Sequence, residues 1–234
     1  MKKKYIILII LLLIVLISSI LYINYKNNDQ IKFKNEYESL NGKKSKSNKK
    51  IRTITIPKDN MIVYKTEEDI VNMINNKETF IVYFGFAECP WCRSVVPTLI
   101  QVAKDLKVEK IYYVDILNIR DVIELKGNQL EKTKKGTKGY NKLIKLLDPV
   151  LSDYIISDSK GNDVSAKEKR IYAPNVVVIV NGKAKKMDTG ISDELTDPYM
   201  KLTTKIKKDT YNKFKCLLEC IEEKNVCTKK LCTK

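Results

Sequence analysis

The sequence predicts an α/β domain in which a central mixed sheet is flanked by helices. Apolar strand-forming residues fill 79–86, a helical pattern covers 90–106, and a second strand pattern follows at 110–116. Strand, helix and strand of these lengths form a βαβ unit with a parallel pair. The apolar run at 172–180 leads into Asn181-Gly182, which predicts a hairpin and an antiparallel strand in the same sheet.

Shorter patterns predict the remaining elements of this domain. Alternation over 52–56 predicts a short strand, and Thr66 is suited to cap a helix that extends to residue 75. The strand that returns from the hairpin is predicted at 183–188. Ser192 and Asp193 predict the cap of a last long helix, which ends near residue 220.

Residues 117–169 are predicted to form a charged helical insertion. Leu143, Leu147 and Leu151 recur at helical spacing, and Pro149 either kinks this helix or starts a second one. The insertion either shapes a substrate groove or serves only as a packing cap.

Composition excludes several classes of protein. The 234 residues carry a net charge of +16 and include no histidine. Ser-His-Asp hydrolases, Cys-His proteases and His-ligated metal sites are therefore excluded. The positive charge suits an anionic lipid or cell-wall surface. Because no zinc-finger, RNA-recognition or helix-turn-helix pattern accompanies this charge, a nucleic-acid partner is not predicted.

The N-terminus predicts a membrane anchor. Residues 5–23 are 19 consecutive uncharged positions, long enough as a helix to cross a bilayer core of about 30 Å. Residues 1–4 are predicted to be a cytoplasmic tail, and residues 24–50 a basic flexible linker. The protein is then expected in the cell membrane, as a single-pass protein with an extracytoplasmic C-terminal domain. A signal peptide cleaved around Ser18 and Ser19 is the alternative.

The sequence Cys89-Pro90-Trp91-Cys92 lies at a predicted strand-to-helix junction. Its spacing places both sulfurs on the first helical turn, close enough for a disulfide, and Pro90 suits the first helical position. The positive helix end is expected to depress the pKa of Cys89, which makes Cys89 the nucleophile and Cys92 the resolving thiol. Half of a zinc site and an inert structural bridge are the alternatives.

In this context the chain resembles the thioredoxin superfamily over about residues 52–116 and 170–210, within a predicted thioredoxin-like domain that spans 51–210 and includes the insertion. Pro97 resembles the family's helix-kinking proline, and Ala173-Pro174 before the VVVIV strand resembles its cis-proline, which faces the active-site cysteines and helps to bind substrate. The resemblance implies a thioredoxin-like fold and thiol–disulfide exchange with no added cofactor. Membrane-anchored extracytoplasmic members, including the bacteriocin-transport accessory type, are the most similar in organisation.

Three residues near the motif either depart from the family or extend its site. Tyr83 occupies the position of the family's buried acid, six residues before Cys89. Glu88 either replaces that acid in part or is a solvated loop charge. Trp91, between the two cysteines, either contacts substrate disulfides or is a partly exposed loop aromatic.

Four more cysteines follow the last predicted helix, in a segment over 211–234 that is predicted to be a Cys-rich helical hairpin. Four cysteines allow three pairings, and a hairpin that turns near residue 224 selects the two nested pairs. These pairs are Cys216–Cys232 and Cys220–Cys227, predicted as structural disulfides, which are typical of oxidising compartments. A four-thiolate zinc site and a redox relay to the catalytic pair are the alternatives.

The leading hypothesis is therefore a membrane-anchored thiol–disulfide oxidoreductase that acts on exported proteins. Its partners would be protein thiols and disulfides, with a further redox protein of unknown identity. The direction of exchange depends on a reduction potential that the sequence does not contain. One alternative is a non-catalytic accessory module that uses the same fold to hold a partner such as a transporter. Another is a reductase that faces the cytosol, which requires the opposite topology and reduced C-terminal thiols.

Overall fold

The computed structural model describes residues 4–5, 9–18, 28–45, 47–127, 129–158 and 161–221. Within these residues the chain is α/β, with a five-stranded mixed sheet flanked by helices, as predicted. The strands are β1 (Ile62–Tyr64), β2 (Phe80–Gly85), β3 (Ile111–Asp115), β4 (Val122–Lys126), β5 (Gln129–Lys134), β6 (Ser152–Ser157), β7 (Asp163–Arg170), β8 (Asn175–Val180) and β9 (Lys183–Asp188). The helices are α1 (Asp29–Glu38), α2 (Glu67–Asn75), α3 (Pro90–Asp105), α4 (Lys138–Leu147) and α5 (Thr204–Leu218).

The central sheet has the strand order β1-β3-β2-β8-β9. Strands β1 and β2 run parallel to β3, whereas β2 pairs with β8, and β8 with β9, in the antiparallel sense. Every residue of β2 and β8 is buried. Because a strand exposes alternate side chains on opposite faces, this burial means that both faces of the sheet are covered. Helix α2 packs against α4, and α3 packs against α5.

Several local predictions are confirmed. Helix α2 begins after Thr66, whose side chain accepts the backbone N–H of Asp69 in a capping box. The hairpin between β8 and β9 turns at Asn181 and Gly182, with φ values of 51° and 70°. Two successive left-handed residues are what a two-residue hairpin turn requires, and the Asn-Gly pair adopts them at low cost.

The predicted flexible linker over 24–50 is wrong for its central part. Helix α1 occupies that region, capped by the Asn28 side chain, which accepts the backbone N–H of Ile31. Phe33 and Tyr37 on this helix are 0% exposed and belong to the main hydrophobic core. Three apolar residues suffice to bury one helical face, although lysine and asparagine dominate the composition around them.

The predicted strand over 52–56 is also wrong, because these residues belong to no strand. Its backbone groups bond to side chains rather than to another strand. Ile54 exchanges two hydrogen bonds with the amide of Asn41, and the Ile56 N–H donates to the Glu38 carboxylate. One edge of the sheet is instead formed by β1, which begins at Ile62, and the other edge is formed by β9.

The predicted helical insertion over 117–169 contains one helix, α4, and two antiparallel hairpins, β4–β5 and β6–β7, within the part the structure describes. All six residues of β5 are exposed, so this strand carries no apolar alternation that would have revealed it. An ion pair between Lys132 and Glu168, at 2.7 Å, joins the two hairpins. Pro149 lies in a 3-10 turn, Asp148–Val150, which follows α4 directly.

The last helix begins later than predicted. Helix α5 begins at Thr204 and is capped by Thr203, whereas Ser192 and Asp193 lie in an irregular segment. Within that segment the carbonyl oxygen of Pro198 accepts hydrogen bonds from Arg52 and Ser94. These bonds fix the segment against α3 as a loop.

No helix among the described residues is both long and apolar enough to cross a membrane. Residues 9–18 are helical with exposed apolar side chains. The rest of the predicted anchor over 5–23 lies outside the described residues, except for Tyr5.

Candidate active site

The two cysteines of the motif lie where β2 gives way to α3. Cys89 is the N-cap residue of α3, and Pro90 occupies the first helical position. The Cys89 sulfur accepts a hydrogen bond from the backbone N–H of Cys92 at 3.2 Å. The sulfur therefore lies at the positive end of the helix and satisfies one of its free N–H groups, as predicted.

The environment of Cys89 favours its thiolate. A hydrogen bond with the Cys92 thiol lowers the pKa of Cys89 below its ordinary value. Backbone N–H groups at the helix start lower it further, and so does the positive charge of Arg120, while burial of the sulfur opposes them. A lowered pKa increases the thiolate fraction of Cys89, and the thiolate is the nucleophilic form of a cysteine.

Cys92 has the opposite character. It is 0% exposed, and burial raises the pKa of its thiol well above the ordinary value, with the neighbouring Cys89 raising it further. Both cysteines are free thiols in this structure. The pair thus combines a thiol of lowered pKa with a thiol of raised pKa, while the roles of nucleophile and resolving thiol stay a prediction.

A distant part of the chain completes the site. The peptide bond between Ala173 and Pro174 is cis, as predicted. The thiol of Cys89 donates a hydrogen bond to the Ala173 carbonyl oxygen at 3.2 Å. The antiparallel pairing of β2 with β8 produces this approach, because Phe84 lies opposite Asn175. The carbonyl oxygen of Ala173, one of the residues predicted to bind substrate, therefore lies beside the Cys89 sulfur.

The other predicted site residues vary in their surroundings. Trp91 is half-buried and packs against the hydrophobic core, next to the half-buried Pro90. Pro97 lies inside α3. Glu88 is exposed, which favours a solvated loop charge over a substitute for a buried acid.

A pair of buried tyrosines lies behind Cys92. The hydroxyl of Tyr83, on β2, is 2.8 Å from the hydroxyl of Tyr37, on α1. Both residues are 0% exposed. Sequence reasoning identified the position of Tyr83 but not its partner, because α1 was interpreted as a flexible linker.

Two arginines near the site carry no sequence motif and were not predicted. The guanidinium of Arg120 lies 4.9 Å from the ring centre of Phe86, close enough to Cys89 to influence its charge. Arg93, which follows Cys92, is 1% exposed. Its side chain donates to the carbonyl oxygens of Arg52, Tyr37 and Ala87 and to the Asn41 amide oxygen. Arg93 thereby fastens the N-terminal segment to the helix that carries both cysteines.

The C-terminal cysteines are described only in part. Cys216 and Cys220 are buried and each is disulfide-bonded, which leaves neither as a thiolate for zinc. Cys227 and Cys232 lie outside the described residues. The pairing Cys216–Cys232 and Cys220–Cys227 therefore stays a prediction, as does the helical hairpin. Among the described residues no group of acidic and sulfur side chains is arranged to hold a metal ion.

A cavity of about 470 Å³ lies at the junction of α4 with the two hairpins, and none of the predicted site residues lines it. Its lining is Asp121, Lys132, Tyr140, Asn141, Ile144, Lys145, Glu168 and Lys169. The candidate site is instead the surface around Cys89 and the cis-proline.

No protein-family model matches the chain, and no curated protein matches its sequence. The function is therefore argued from the geometry of the site.

Proposed function

We propose that this protein is a membrane-anchored thiol–disulfide oxidoreductase with a thioredoxin-like fold, acting on proteins outside the cytoplasmic membrane. The observation that carries the proposal is the unequal environment of the two thiols. Cys89 caps a helix and has a lowered pKa, whereas Cys92 is fully buried and has a raised pKa. This inequality suits a nucleophile followed by a resolving thiol.

The exchange proceeds in two steps. The Cys89 thiolate attacks one sulfur of a substrate disulfide, forms a mixed disulfide and releases the other substrate sulfur as a thiolate. Cys92 then loses its proton and attacks the Cys89 sulfur, which closes the Cys89–Cys92 disulfide and releases the second substrate thiolate. The substrate gains two electrons and the cysteine pair loses two. A dithiol protein would restore the reduced pair, and every step can run in reverse.

The walls of the site suit a polypeptide substrate. Ala173 and Pro174 lie beside the nucleophile, and the Ala173 carbonyl oxygen is within hydrogen-bonding distance of its sulfur. Trp91 stands between the cysteines in sequence and is half-buried. We assign these three residues to contact the substrate around its disulfide. The cysteine pair itself supplies the two electrons that the substrate gains, so the reaction needs no cofactor.

The proposed location depends on the apolar segment over 5–23 and on the C-terminal cysteines. An uncharged stretch of 19 residues after three lysines suits an uncleaved anchor with its short tail in the cytoplasm. Disulfide-bonded Cys216 and Cys220 suit an oxidising compartment. Strand order, the cis-proline and the final hairpin are compatible with a thioredoxin-like fold.

A trapping experiment tests the proposal. The full-length Cys92→Ser variant, in detergent, is mixed with a peptide that contains one disulfide. We expect a stable mixed disulfide through Cys89, because no resolving thiol remains, while the wild-type protein releases reduced peptide. Cys89→Ser is the matched control and should form no adduct. Absence of both the adduct and reduced peptide would leave only the accessory-module hypothesis.

A further inference from the structure

The buried tyrosine pair faces the inner sulfur of the active site. Burial raises the pKa of the Cys92 thiol, and the nearby hydroxyl of Tyr83 opposes that rise. The same hydroxyl lies 2.8 Å from that of Tyr37. The fold keeps space for this hydroxyl, since a Cβ added at Gly85 would lie 2.1 Å from it. The absence of a side chain at Gly85 therefore leaves room for the hydroxyl of Tyr83.

The resolving step requires a group that stabilises the Cys92 thiolate. Cys92 must become a thiolate before it attacks, yet burial opposes a charge on its sulfur. The titratable groups around it are Cys89 on α3, Tyr83 on β2 and Tyr37 on α1. Tyr113 on β3 stacks on Tyr83 at 5.3 Å, but its hydroxyl is directed to the Gly85 carbonyl oxygen.

The hydrogen-bond chain has a consistent direction. Tyr37 can donate to the Tyr83 oxygen, which leaves the Tyr83 proton for the sulfur of Cys92. Hydrogen bonds to a charged acceptor are stronger than those between neutral groups. A buried donor held in place by a second hydroxyl is therefore suited to stabilise a thiolate that no water reaches.

We propose that Tyr83 is a catalytic residue of the resolving step, with Tyr37 as its positioning residue: the Tyr83 hydroxyl donates to the Cys92 sulfur as that sulfur becomes a thiolate. The inference rests on the proposed function. It assigns Tyr83 to the second half of the exchange and leaves the attack by Cys89 to other groups.

An aryl disulfide probe separates the two steps. It releases one coloured thiolate when Cys89 attacks and a second when Cys92 resolves the adduct, so stopped-flow absorbance across a pH series gives both rates. In the full-length Tyr83→Phe variant we expect an unchanged first phase. The second phase should slow about tenfold, the effect of losing a hydrogen bond to a charged group, and its pH profile should move to higher pH.

Two further variants make the test specific. Tyr113→Phe removes a nearby buried hydroxyl that is directed away from the sulfur, and should leave both phases unchanged. Tyr37→Phe keeps the donor but loses its orientation, so it should slow the second phase alone, by a smaller factor. This variant also decides the matter if Tyr83→Phe does not fold.

The outcomes distinguish this inference from the proposed function. If the wild-type protein gives no first phase, the proposed function is wrong. If the wild-type protein gives both phases but Tyr83→Phe matches it, or slows both phases equally, only the role of Tyr83 is wrong. An unchanged second phase in Tyr37→Phe would likewise contradict the orienting role of that residue.

Discussion

The sulfur of Cys89 lies 3.2 Å from the carbonyl oxygen of Ala173, across 84 positions of the chain. The contact depends on the antiparallel pairing of β2 with β8, which places the loop after one strand next to the cis peptide before the other. Under the proposed function, the Ala173 carbonyl group would border the path of a substrate disulfide to Cys89.

Removal of the charge at Arg120 should make Cys89 less acidic. Its guanidinium is half-buried over Phe86 and lowers the pKa of Cys89. In Arg120→Gln the thiolate fraction at neutral pH falls, so alkylation of Cys89 by iodoacetamide should slow several-fold. Lys104→Gln, which removes an exposed charge paired with Asp59, is the control. Equal alkylation rates in both variants would contradict the role given to Arg120.

Helix α1 should be essential for stability. Phe33 is 0% exposed and packs edge-on against Tyr113, with ring centres 5.0 Å apart. Phe33→Ala leaves a cavity in the core, and its free energy of unfolding should fall by about 3–5 kcal/mol. Asn35→Ala, on the exposed face of the same helix, should change it by less than about 0.5 kcal/mol. Denaturant titration measures both, and similar values would mean that α1 is not part of the core.

The C-terminal disulfides should link Cys216 to Cys232 and Cys220 to Cys227. Proteolysis without reduction, followed by mass spectrometry, would detect the two linked peptides. Zinc analysis of the same sample should show no metal. Any other linkage, or free thiols at Cys227 and Cys232, would contradict the nested pairing.

The sequence predicted best where a strong local pattern and a short connection coincide. In the unit from β2 through α3 to β3, the strands are rich in apolar residues. Helix α3 begins with an N-cap residue, Cys89, that is followed by Pro90. Its elements were therefore predicted to within one residue or so, and the site cysteines with them. The hairpin at Asn181 has an equally local cause.

The sequence was less informative where burial depends on distant partners. Helix α1 buries Ile31, Phe33 and Tyr37, yet most of its other residues are polar. Strand β5 is exposed at all six residues and lacks the alternation that identifies a strand, whereas β7 alternates only over its first four residues before a charged run. Tyr37 could not be linked to the candidate site because its contact with Tyr83 spans 46 positions.

The most direct test is the pH dependence of alkylation at each cysteine of the reduced full-length chain, resolved by peptide mass spectrometry. The thiolate is the reactive form, so a lowered pKa moves the rise in rate to lower pH. We predict that Cys89 reaches its half-maximal rate below the pH of about 8.5 that is typical of a free thiol, while Cys92 stays unreactive there. A Cys89 that titrates like an ordinary thiol would contradict the account.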